Sequence, residues 1–169
     1  MKKLTALLAI LLPTLSVAQV PPAEDLRLYD IASAPSAERL EADVTTLVSH
    51  GTRHSLSETV SEARGIGAAR RWIEAEFREI SARCGDCLEV LIISDTVSGV
   101  DRIPSPAEIV SVVAIQRGST DPNRMVMMSG DIDSRVSDPL DGESDSPGAN
   151  DNATGVALIC FVYLGLMSG

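Results

Sequence analysis

"GDIDSRVSDPLDGESDSPGANDNATGVA", residues 130–157, is the stretch on which the reading of this chain turns. It gathers Asp131, Asp133, Asp138, Asp141, Glu143, Asp145 and Asp151 around a single arginine, Arg135. So dense a set of carboxylates asks what neutralises it: water, calcium or a catalytic metal. A helix-loop-helix calcium loop needs acids at alternate positions and Gly at the sixth. Counted from Asp131 or Asp133, that position holds Val136 or Asp138, so the calcium pattern fails. Placement says more than number. Asp131 and Asp133 follow an apolar run, and Asp151 stands just before another.

The run ahead of the acids, "RMVMMSG" (124–130), reads as a strand, as do "LEVLIIS" (88–94) and "EIVSVVAIQ" (108–116). Their β-branched, apolar character predicts strands covered on both faces. "RGSTDPN" (117–123) reads as the polar turn joining the second to the third. Three helices complete the pattern. Ser36 offers an N-cap for a helix over 37–49, stopped by Gly51. From about Ser61 to Arg83, Ile66, Ala69, Ile73, Phe77 and Ile80 recur at helical spacing, with Trp72 beside them as core. Residues 154–168 are apolar almost all round, as in a helix buried on several sides. The fold expected is α/β and three-layered, a mostly buried central sheet with helices on both faces, and incomplete. Nothing follows the last helix to cover it, which predicts missing chain or a partner. Within this frame Asp131 and Asp133 fall at the carboxyl end of a strand, where open α/β sheets bind ligands.

Composition narrows the function classes. The chain has 169 residues, 44% hydrophobic and 22% charged, the make-up of one globular domain. A net charge of −10 argues against nucleic acid, which needs a basic surface. "MKKLTALLAILLPTLSVA" (1–18) has a basic start, an apolar core and a small-x-small end, the pattern of a secretory signal peptide cut after Ala18. Its apolar run is shorter than the roughly 20 residues of a membrane span. No stable membrane insertion is therefore expected after cleavage. Residues 19–169 form the mature part, and the expected location is periplasmic or secreted. Losing Lys2 and Lys3 takes the formal charge from −10 to −12. In an oxidising compartment Cys84 and Cys87 read as a short structural disulfide, and Cys160 as a buried free thiol. There is no Gly-x-Ser-x-Gly elbow, which argues against a serine hydrolase.

"SGDIDSR" followed by "PGANDNATGVA" resembles the metal-binding core of bacterial dizinc aminopeptidases of peptidase clan MH. "HGTRHS" (50–55) and "GIGAARRWIEAEF" (65–77) resemble that family's N-terminal helices, so the likeness runs from about Leu40 to Ala157. It implies an exported metal-dependent aminopeptidase that releases N-terminal residues from peptides with two zinc ions. It places Asp151 as the carboxylate bridging the metals, about 3.5–4 Å apart in two-metal sites. Asp133 becomes the catalytic-site acid that supports the first ligand and tunes the metal. Asp131 falls where the family pattern, Gly-His-x-Asp, has a zinc-ligating His. A hard oxygen in place of nitrogen implies a shift toward manganese or another harder ion. The family's general base and remaining ligands lie downstream of the position of Asp151, beyond Gly169, so this chain alone is expected to be inactive.

The other acids, Asp138, Asp141, Glu143 and Asp145, read as a solvated surface loop. His50 and His54 are separated by a helix-breaking Gly51 and read as ordinary surface or packing residues. Asn152-Ala153-Thr154 matches a glycosylation sequon but sits inside the metal loop and is discounted. The alternative function is a non-catalytic exported module with a degenerate metal loop, self-associating through its uncovered C-terminal helix.

Overall fold

A computed structural model describes residues 36–167, together with residue 33. The expected signal peptide, 1–18, lies outside the described residues.

Helix α1 (Ala37–Ser49) begins where Ser36 accepts a hydrogen bond from the Arg39 amide, 3.2 Å. It ends where Gly51, at φ 71°, turns the chain away. Helix α2 (Gly65–Arg83) starts later than its periodicity suggests, because residues 57–64 serve as its cap. The Ile66 amide donates to Ser57 Oγ at 2.8 Å, Gly65 N to the His50 carbonyl, and Gly67 N to the Glu58 carbonyl. These contacts satisfy the first-turn donors that a helix leaves open. Gly67 is required there: a Cβ would sit 2.2 Å from the Thr59 carbonyl oxygen.

Strands β1 (Leu88–Val97) and β2 (Ala107–Gln116) form an antiparallel hairpin, with Leu88 opposite Gln116 and Val97 opposite Ala107. Val90, Val112 and Ala114 lean on the apolar cluster of Leu47, Ala69, Ile73, Phe77, Ile80 and Leu88. Helix α3 (Thr154–Met167) adds Val156 and Cys160 to the same cluster. The architecture is therefore mixed α/β, with helices packed on a sheet. No helix among the described residues is long and apolar enough to cross a membrane. The greasy α3 buries Val156, Ala157, Cys160 and Phe161, while Leu158 stays half exposed.

The third strand requires correction. Residues 124–130 carry no ladder, and the turn at 117–123 makes no hairpin with β2. A strand needs a neighbour to take its alternating N–H and C=O groups. Among the described residues β2 pairs only with β1, and no other strand borders the run. Met125, Val126 and Met127 are accordingly 82–86% exposed, not buried on two faces.

The cysteines follow the reading made from their context. Cys84 and Cys87 are bonded, with 5.5 Å between their Cα atoms, closing the turn from α2 to β1. Cys160 is a buried free thiol. Burial pushes it up to about 12, helped by the negative charges of Glu76 and Asp43. Those two acids share Arg39, which pairs with Asp43 at 2.7 Å and with Glu76 across to α2.

Arg53 is the largest side chain that is fully buried. Its guanidinium donates to four carbonyls: Nε to Ile132 (2.9 Å), Nη1 to Leu47 (2.9 Å) and Pro147 (2.8 Å), and Nη2 to Gly148 (3.0 Å). Burial lowers its pKa, while the charge of Asp133 pulls the other way. One planar fork thus ties the end of α1 to both flanks of the acidic loop, and no other side-chain type offers five fixed donors.

Two outcomes are expected. Arg53→Met leaves those carbonyls without donors and lowers unfolding stability by about 3 kcal/mol or more. The change should appear as a lower denaturant midpoint at constant slope. In the folded, unreduced protein a thiol reagent at pH 8 labels no cysteine. Unfolding exposes one, Cys160, and reduction releases Cys84 and Cys87 as well.

Candidate metal-binding loop

The site is assembled on the segment "HGTRHS". Arg53 and Ser134 exchange backbone contacts: the Ser134 amide donates to the Arg53 carbonyl at 3.3 Å, and the Arg53 amide to Ser134 Oγ at 3.1 Å. Ser134 Oγ in turn donates to the Ser146 carbonyl at 2.6 Å. The Ser146 amide donates to the Gly51 carbonyl at 2.8 Å, and its hydroxyl meets Thr52 Oγ1 at 3.0 Å. Thr52, Arg53, Ser134 and Ser146 are all buried. This hydroxyl network pins the two ends of the acidic loop, 134 and 146, to one short segment far upstream.

The loop between those pins consumes its own charges. Asp141 Oδ1 accepts the amides of Glu143 (3.0 Å) and Ser144 (2.8 Å). Hydrogen bonds from Ser144 and then Glu143 hold its carboxyl below the usual range. Asp138 Oδ1 accepts the Leu140 amide at 2.9 Å. Asp145 pairs with Arg64 at 2.7 Å, and Arg64 also donates to the Glu143 carbonyl. Asp138 and Asp141 are therefore turn-formers and Asp145 a surface ion partner, and Glu143 is exposed like Asp138 and Asp145.

Asp131, Asp133 and Asp151 differ from them. All three are exposed, and none takes a hydrogen bond or a close ion pair from the described residues. Asp133 lies in the field of Arg53. The first two flank Ile132, whose carbonyl receives Arg53 Nε. Asp151 sits in a turn, Ala149–Ala153, inserted between Gly148 and α3. Its extended φ/ψ of −124° and 92° interrupts the helical path, and its peptide bond to Asn152 is cis.

Close backbone packing brings the two segments together. A Cβ on Gly130, the residue before Asp131, would lie 2.9 Å from Gly155 C and Val156 N at the start of α3. One on Gly148, held at φ 46°, would lie 2.6 Å from both the Asp151 carbonyl oxygen and Ser134 Cβ. These two glycines let the run that carries Asp131 and Asp133 abut the helix start that carries Asp151. Asn152 Oδ1 accepts the Gly155 amide at 2.9 Å, so the sequon asparagine is occupied in capping α3.

A zinc shell asks for more donors than these segments bring together. Structural and catalytic zinc sites draw on several converging Cys, His, Asp or Glu side chains. Among the described residues no three such groups converge to hold an ion. His54 is spent elsewhere on both ring nitrogens, and His50 on one, its buried Nε2 having no partner among the described residues. His50 Nδ1 meets the Ala63 carbonyl at 3.2 Å; His54 Nδ1 accepts the Leu56 amide, and its Nε2 donates to the Pro139 carbonyl. The described residues thus do not make a closed zinc site. They offer open carboxylates on two abutting segments, the chemistry of part of a cation shell.

Sequence reasoning assigned no role to Arg53, Thr52, Ser134 or Ser146. The one signal in the sequence was the cluster of polar residues in "HGTRHS", a polarity ordinary for any loop.

Comparison with known proteins places the chain beside fungal sequences. It is 48% identical over 139 residues to a protein of Pyrenophora teres f. teres named "Probable zinc metalloprotease", a match covering 82% of this chain and 29% of the relative. A protein of Pyrenophora tritici-repentis with the same name is 46% identical, covering 82% of this chain and 28% of the relative. One from Pyricularia oryzae, named likewise, is 47% identical over 120 residues, 71% of this chain and 24% of the relative. No family model matches the chain. No solved structure matches it. The chain spans under a third of the length of these relatives. Over most of its own length it is a homologue of fungal proteins named probable zinc metalloproteases.

Proposed function

We propose that this chain is the N-terminal portion of an exported, metal-dependent aminopeptidase, and that Asp131 and Asp151 are metal ligands contributed by this portion. The reading is carried by one observation: two segments bearing open carboxylates are locked side by side, in a chain homologous to proteins named for zinc proteolysis. The resemblance to clan MH adds the exopeptidase specificity and a pair of zinc ions. Because Asp131 stands in place of a histidine, a harder divalent ion is a second candidate. Export rests on the leader-like residues 1–18, and the fungal relatives favour secretion over a periplasm.

Zinc bound at such a site supplies Lewis acidity and an activated water. The residues of this chain have narrower tasks. Asp131, after the run 124–130, and Asp151, in the turn before α3, would each supply a carboxylate oxygen to the metal. Asp133 lies in the field of Arg53, two residues from Asp131. Peptide is the substrate, its free N-terminus a cation suited to an acidic loop.

A second reading is favoured by the lack of three converging metal-type side chains among the described residues. On that reading the chain is a non-catalytic exported module that associates through α3, where Leu158 is half exposed.

The full-length protein decides between them. Aminopeptidase action predicts hydrolysis of an aminoacyl anilide and none of its N-acetylated form. Asp151→Ala should remove both bound metal, measured by elemental analysis, and turnover. Asp133→Asn should weaken metal binding by roughly 10- to 100-fold. Cleavage of the acetylated substrate at an equal rate would rule out the exopeptidase reading. Unaltered metal and activity in Asp151→Ala would rule out the ligand assignment.

A further inference from the structure

We infer that Arg53 is a positioning residue for the reaction: it fixes the relation between the segment bearing Asp131 and Asp133 and the turn bearing Asp151. The inference rests on the proposed function in naming those acids as the site. Its structural part stands independently.

Three observations carry it. The guanidinium reaches both segments at once, Nε on the Ile132 carbonyl and Nη2 on the Gly148 carbonyl. Ile132 lies between Asp131 and Asp133. The Gly148 carbonyl also accepts the Ala153 amide at 3.1 Å and so closes the turn that contains Asp151. The arginine is 1% exposed, so it can neither touch substrate nor exchange these partners for water. It acts only through the backbone that it holds. Lastly, the two segments carry the open carboxylates, while the intervening loop spends its acids on its own turns. A rigid clamp between two ligand-bearing segments is what a site needs when its ligands come from different elements. Misplacement by about 1 Å can cost roughly 100-fold in rate.

Lysine tests the geometry while keeping the charge, because a single ammonium cannot span carbonyls on both flanks. Arg53→Lys is compared in the full-length protein with Ser81→Ala, which removes the hydrogen bonds between Ser81 Oγ and the Leu88 backbone where α2 meets β1 and lies in neither segment. Amide hydrogen exchange is read at 131–134 and 148–153, alongside kcat and KM for an aminoacyl anilide. Arg53→Lys should speed exchange in both segments by roughly tenfold. It should lower kcat by up to roughly 100-fold with KM little changed. Ser81→Ala should lower Tm and do neither. Unchanged exchange in Arg53→Lys, or equal changes in both variants, overturns the inference. Faster exchange with unchanged kcat in an active protein also overturns it. An inactive wild type would instead overturn the proposed function, and the exchange result would still decide whether Arg53 holds the segments.

Discussion

A guanidinium buried to 1% exposure has to find acceptors, and Arg53 finds four backbone carbonyls. The rest of the site follows from that requirement. A charge removed from water without partners is prohibitive, so the end of α1, the run before Ser134 and the turn at Pro147–Gly148 must all come to it. The serine and threonine hydroxyls around it then close the remaining bonds. Residues far apart in sequence, Gly51 to Arg53 on one side and Ile132 to Gly148 on the other, become one polar core beside the apolar one.

That arrangement explains the acidic loop. Seven carboxylates in 28 residues do not act as a unit. Asp138 and Asp141 build turns, Asp145 meets Arg64, and Glu143 faces solvent. What remains open is the subset that lies on the clamped segments. The division of labour comes from which backbone is fixed, not from the number of acids. It also separates the chain from its resemblance to the dizinc enzymes. The resemblance would put a nitrogen ligand where this chain has Asp131, while a ring nitrogen of each of its two histidines meets a carbonyl.

Much of the frame was legible in the sequence because it depends on local signals. Ser36 and Gly51 bracket α1, the 3.6-residue spacing of Ile66 to Ile80 marks α2, and β-branched runs mark β1 and β2. The start of α2 was misplaced because its first-turn donors are satisfied by Ser57, His50 and Glu58, contacts that no periodicity encodes. The run at 124–130 has every local mark of a strand. A strand is completed by its neighbour, however, and among the described residues none is beside it. Of the site, the acids at the two element ends could be read from placement. Arg53 could not, since an arginine in a polar segment looks like any surface residue until long-range folding buries it.

The most direct measurement is anomalous diffraction at the zinc edge from crystals of the full-length protein grown with zinc. The account predicts a peak contacting the carboxylate of Asp151, with Asp131 on the same ion or on one beside it. A peak that avoids Asp151, or none, would contradict it.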